Sequence, residues 1–210
     1  MRHGTVIAIL GLAAIGLSAL PGEIRAQVVW DGPMLVSPNG LGGWGAHVVD
    51  PHPGNGIGAL VTWRSEPAPE GLGFRVGVVE GFQGDAAVLG GVDLAGAIYR
   101  MEDQDFDLDI AWFLGAGLAI DEEWTVSLPA GITVGWSFTS QQLDFRPYVA
   151  PRVMLDAFPG DDRVDGEDGL DLGFAVELGA DLAWDPRFGI RAGGSFGDRE
   201  ALSVGVVFPG

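Results

Sequence analysis

The feature that most constrains this chain is a two-residue alternation of large apolar with small or polar residues, sustained over whole segments. Between Leu170 and Trp184 one face carries Leu170, Leu172, Phe174, Val176, Leu178, Ala180, Leu182 and Trp184. The other carries Asp171, Gly173, Ala175, Glu177, Gly179, Asp181 and Ala183. Successive side chains of an extended strand point to opposite faces, so this period specifies strand and excludes helix.

The same pattern recurs from Leu143 to Asp156 and from Trp124 to Phe138. It is looser from Asp107 to Ile120 and from Val88 to Ile98. Shorter strands are predicted at Leu72–Val79, Phe188–Phe196 and Leu202–Phe208, with a weaker hairpin from Gly43–Val49 and Ile57–Arg64. Turn chemistry separates them, as in Asp50-Pro51-His52-Pro53-Gly54, Asp121-Glu122-Glu123 and Asp185-Pro186-Arg187. The set makes ten strands, or eight if the first hairpin stands outside the wall.

Alternation alone does not say which way the apolar face points. A soluble sandwich or barrel turns it inward, and a membrane barrel turns it toward lipid. The best segments meet the roughly 9 to 11 residues a membrane strand needs, against about 5 to 6 for soluble strands. The face without bulk is mostly Gly, Ala, Ser and Thr, and the chain contains no lysine. Small residues suit a narrow lumen, whereas a water-facing surface carries more charge. Trp124, Trp136, Phe138, Trp184, Phe188, Phe196 and Phe208 lie near predicted strand ends, as in an interfacial girdle.

Composition agrees. With 35 glycines and 13 prolines in 210 residues, extended helices are disfavoured. The formal charge of −18 leaves no basic face for nucleic acid. Cysteine is absent, so no disulfide or thiolate site can form.

Residues 1–26 read as a secretory leader. Arg2 and His3 precede an apolar stretch from Val6 to Leu20, Pro21 and Gly22 break it, and Ile24-Arg25-Ala26 offers a cleavage site before Gln27. Residues 27–42 have no period and are predicted to form an irregular segment ahead of a barrel over 43–210.

The predicted lumen face is charged. Arg75, Arg146, Arg152 and Arg191 share it with Asp93, Asp109, Asp144, Glu177 and Asp181. Inside a dry, narrow barrel such groups must pair, since an unpaired buried charge costs several kcal/mol. An arginine–carboxylate network across the lumen is therefore expected. It reads first as a structural plug, with a gate or selectivity element as the alternative.

With its leader, its amphipathic strands, the Phe145-Arg146-Pro147-Tyr148-Val149-Ala150-Pro151-Arg152 segment and a final strand of Leu202, Val204, Val206 and Phe208, the chain resembles the small outer-membrane β-barrel superfamily. The likeness covers most of residues 43–208. Pro209 and Gly210 depart from it, because they follow the terminal aromatic. The resemblance implies an all-β fold, a closed antiparallel up-and-down transmembrane barrel in the outer membrane of a Gram-negative bacterium. It implies outer-membrane lipid, lipopolysaccharide and the barrel-assembly machinery as partners. It names no substrate, because fold does not settle function.

No catalytic apparatus, cofactor motif or metal pattern is apparent, so no enzyme is expected. His47 lies in the weakest strand with no serine near in sequence, and His52 lies in a proline-rich turn. The acidic loop Asp161-Asp162-Arg163-Val164-Asp165-Gly166-Glu167-Asp168 and the cluster Glu102, Asp103, Asp105, Asp107 and Asp109 read as hydrated surface. Divalent cations at these loops are the alternative. The expected function is a structural or interaction barrel with a plugged or narrow lumen. The alternatives are a narrow channel for small solutes and a soluble secreted β-barrel binding protein.

Overall fold

The computed structural model describes residues 30–51, 56–65, 70–80, 86–102, 107–120, 124–140, 143–158 and 169–210. The predicted leader, His52, Asp103, Asp105 and the acidic loop 161–168 lie outside them.

Ten strands form: β1 (Gly43–Asp50), β2 (Gly58–Arg64), β3 (Gly71–Glu80), β4 (Ala86–Glu102), β5 (Asp107–Ile120), β6 (Trp124–Thr139), β7 (Asp144–Ala157), β8 (Leu170–Asp185), β9 (Phe188–Gly197) and β10 (Ala201–Phe208). Each pairs antiparallel with its sequence neighbours, and β1 closes the ring on β10 with Trp44 opposite Phe208 and Asp50 opposite Leu202. The fold is a closed up-and-down barrel, and the first hairpin belongs to its wall. Closure removes the unpaired edges that an open sheet would present.

Strand β4 runs further than its alternation suggested, to Glu102 rather than Ile98. A bulge between Ala97 and Tyr99 is the reason. An extra residue on one strand shifts the parity, so Ile98 and Tyr99 both point outward and the two-residue period is lost.

The apolar faces point out of the barrel. Leu172 is 71% exposed, and Phe174 and Leu178 are exposed beside it, while Glu177 and Asp181 on the same strand are buried. The neighbouring β7 repeats this, with Phe145, Val153 and Leu155 outside and Tyr148, Ala150, Arg152, Met154 and Asp156 inside. This inverts the ordinary soluble arrangement, in which burial of apolar side chains drives folding.

The interior is filled from a different part of the chain. Residues 30–42 form no strand and run along the lumen before β1 begins. Trp30, Asp31, Met34, Leu35 and Val36 are all buried. Trp30 lies near the Ala157 end of β7, with its indole Nε1 donating to the Ser127 carbonyl at 3.2 Å. Leu41 lies near the opposite end, against Gly189 and Asp181. The barrel therefore encloses its own N-terminal segment.

Candidate functional site

The lumen face of the wall is the candidate site. Alternation puts one residue in two there, and small residues on β4 and β5 leave room for a second layer. A Cβ at Gly91 would come within 2.7 Å of three ring atoms of Trp30. A Cβ at Gly115 would stand 2.9 Å from the same ring and 3.1 Å from Met34 Cε. Glycine is required at these positions for close approach of the inner segment.

Glu177 on β8 is the centre of the polar interior. Its Oε2 accepts the Met34 backbone N–H at 2.6 Å and Arg152 Nη1 at 2.9 Å. Its Oε1 accepts the Leu35 N–H at 2.8 Å and the Tyr148 hydroxyl at 2.6 Å. Four donors on one fully buried carboxylate can offset the desolvation that burial costs. Leu35 holds φ of 58°, a left-handed conformation uncommon for a residue with a Cβ, at the point where Glu177 takes both amides.

Arginines of the wall reach the carbonyls of the inner segment. Arg75 donates to the Pro33 carbonyl at 2.7 Å and also to the Met34 carbonyl. Arg152 Nη2 donates to the Asp31 carbonyl at 2.9 Å. Arg191 donates to the Leu41 carbonyl at 3.0 Å, and Arg146 to that of Asn39 at 3.1 Å. Asp181 accepts the Leu41 N–H at 3.0 Å. An irregular segment cannot satisfy its own backbone as a helix or sheet does, and these side chains supply the missing partners.

The ion pairs follow the wall. Arg152 pairs with Glu177 on the adjacent strand, and Arg191 pairs with Asp181 opposite it at 2.6 Å. Arg64 pairs with Asp93, and Arg199 with Asp156. Asp31 of the inner segment lies 3.4 Å from Arg152 Nε and 3.9 Å from Arg199 Nε. Among the described residues, Arg64, Arg75, Arg152, Arg191 and Arg199 are buried, as are Asp31, Asp93, Asp156, Glu177 and Asp181. The two signs balance, which burial of this many ions demands.

Of the nine lumen residues named from sequence, Arg75, Arg146, Arg152, Glu177, Asp181 and Arg191 converge on segment 30–42. Asp93 on β4 pairs instead with Arg64 on β2, across β3. Asp144 meets Arg146 at 3.3 Å in a half-buried pair near the strand end. Asp109 is bound apart from the others, 3.0 Å from the exposed Arg100. Arg152–Glu177 and Arg191–Asp181 join neighbouring strands, Arg64–Asp93 reaches past β3 from β2 to β4, and the lumen itself is crossed by segment 30–42.

Sequence reasoning did not find Asp31, Arg64, Asp156 or Arg199. Asp156 shares the parity of Arg152 and Met154, so the alternation of β7 could have yielded it. Asp31 and Arg199 lie outside strands, where no period applies. His47 faces inward with Nε2 3.3 Å from Thr62 Oγ1. A Cβ at Gly45 would stand 2.7 Å from that nitrogen, so the ring fills space against glycine.

No protein-family pattern matches the sequence, and comparison with curated proteins finds no relative. Among solved structures a KdgM porin aligns with 80% of this chain and 98% of its own, at 11% identity and a TM-score of 0.29. A likeness at that level adds nothing to the strand pairing, on which the barrel assignment stands.

Proposed function

We propose that this protein is an outer-membrane β-barrel of structural or interaction type, whose lumen is closed by its own residues 30–42. The observation that carries this reading is the binding of that segment. Four wall arginines hold its carbonyls, and Glu177 and Asp181 hold its amides. The membrane location is supported by the outer wall. Soluble monomers rarely expose contiguous apolar patches beyond a few hundred Å2, yet every strand except β9 presents exposed Leu, Ile, Val or Trp, and β9 presents Phe196. Aromatic pairs gather at the end bearing Gly43 and Phe208, including Trp63–Phe74 at 5.3 Å and Trp184–Phe188 at 5.4 Å. Such rings suit the headgroup region.

The test is conductance across a planar bilayer. The full chain is expected to insert without steady current, and a chain lacking residues 30–42 to conduct. If that deletion fails to assemble, Glu177→Ala with Arg75→Ala loosens the segment in place and should produce openings. Steady openings of the unaltered protein at neutral pH reject the closed lumen. They would favour the second reading, a narrow channel for small solutes. One observation supports that reading: side-chain hydrogen bonds hold the segment, and no strand pairing locks it into the wall.

A further inference from the structure

Between segment 30–42 and the arc of wall that runs from β9 and β10 through β1 to β4 lies a cavity of about 20 Å3, bordered by Leu35, Thr62, Arg64, Arg75, Asp93 and Arg191. Roughly 10–15 Å3 accommodates one water-sized particle. The cavity therefore has room for a water molecule or a monatomic ion.

Its lining carries three arginines and one carboxylate. Arg191 is fully engaged, with Asp181 and the Leu35 and Leu41 carbonyls. The other two are not. Arg64 gives Nη2 to Asp93, and its Nη1 is buried without an acceptor among the described residues. Arg75 gives Nη1 and Nη2 to neutral carbonyls, and its Nε is likewise buried without an acceptor. Arg75 also lies 5.5 Å from the Trp30 ring centre, but none of the described carboxylates forms an ion pair with it. A buried donor left unmet is destabilising, and more so when it carries charge. Two such donors on guanidinium groups bordering one small cavity call for an acceptor. The interior balances as a whole, but at this cavity three guanidinium groups border one carboxylate, and that local excess favours a negative acceptor over a neutral one.

We propose that this cavity binds a single small inorganic anion of the halide class, held between Arg64 and Arg75. Asp93 does not oppose it strongly, because its charge is already matched by Arg64. The site rests on the packing of segment 30–42 against the wall. It holds whether the barrel is a silent plug or a regulated channel.

Bromide replaces chloride conservatively and scatters anomalously. Crystals of the full chain grown in sodium bromide should show one anomalous peak between the Arg64 and Arg75 guanidinium groups, lost in Arg64→Gln. In detergent solution the thermal unfolding transition should lie higher in sodium chloride than in sodium gluconate at equal ionic strength. Arg75→Gln should abolish that difference while leaving a measurable transition. Water density with no anomalous signal at the cavity overturns the proposal. So does a bromide peak that persists unchanged in Arg64→Gln, which would mark an adventitious ion only. Identical transitions of the unaltered protein in the two salts also overturn it.

Discussion

Arg152 Nη1 stands 2.9 Å from Glu177 Oε2, and neither side chain exposes any surface. The pair joins β7 to β8, yet each partner also holds the inner segment, Glu177 through two amides and Arg152 through the Asp31 carbonyl. Glu177→Gln should therefore cost more than one hydrogen bond. Removing one charge of a buried pair is worth about 3–5 kcal/mol. The expected outcome is a loss of that size in urea unfolding of the lipid-reconstituted barrel. Arg152→Met with Glu177→Leu should cost less than the two single losses added together, because neither member of the pair is left facing the other's absence, while Asp31 keeps only the more distant Arg199. A double-mutant cycle measures that coupling directly.

Which way the apolar face points has its own consequence. Leu178 sits midway along β8, and Leu172 sits near its end; both side chains are outside. In a bilayer, arginine costs about 2–4 kcal/mol at mid-depth and about 0–1 kcal/mol near an interface. Leu178→Arg should thus destabilise the reconstituted barrel strongly and Leu172→Arg hardly at all. A barrel standing in water would accept both equally. Equal stability of the two variants would count against the membrane location.

The wall was legible in the sequence because a barrel strand writes its environment at every second position. Leu172, Phe174 and Leu178 declare one face, Glu177 and Asp181 the other, and the parity carries through β5 to β8. Where parity breaks, legibility ends. The bulge at Ala97 and Tyr99 concealed the last turn of β4, and Arg199 lies in a connection with no period at all. The filling of the lumen was illegible for a related reason. Segment 30–42 is held by distant side chains, Glu177 lying 142 positions from Leu35. No local pattern in Trp30, Asp31 or Met34 records that distance. One hint was present: an irregular stretch rich in Trp30, Met34, Leu35, Val36 and Leu41 has apolar surface to bury, and no amphipathic period with which to bury it.

Gly91 offers a separate test of that filling. A Cβ at this position would meet ring atoms of Trp30 before any other side chain, at 2.5 Å for Cζ3 and 2.7 Å for Cδ2. Gly91→Val should destabilise the barrel by about 1–3 kcal/mol, the usual cost of overpacking. Adding Trp30→Ala should recover part of that loss, even though Trp30→Ala alone removes buried surface. Thermal unfolding of the four species forms the cycle. Additive losses would mean that Trp30 does not rest on this strand.

The backbone amides of Met34 and Leu35 give the most local readout. In the intact protein both donate to Glu177 within the buried interior, so their hydrogen exchange should be slow despite their lying outside any strand. Exchange reports the free energy of the opening that exposes each amide, and segments open separately where few bonds hold them. Glu177→Ala removes both acceptors at once, while β8 keeps its backbone pairing to β7 and β9. The two amides should then exchange at least tenfold faster, about 1.4 kcal/mol or more, while those of Val149 and Leu178 in the wall remain protected. Fast exchange at Met34 and Leu35 in the unaltered protein would show that the segment is not held in the lumen. Equal acceleration at all four positions would show that the segment opens only when the whole barrel unfolds.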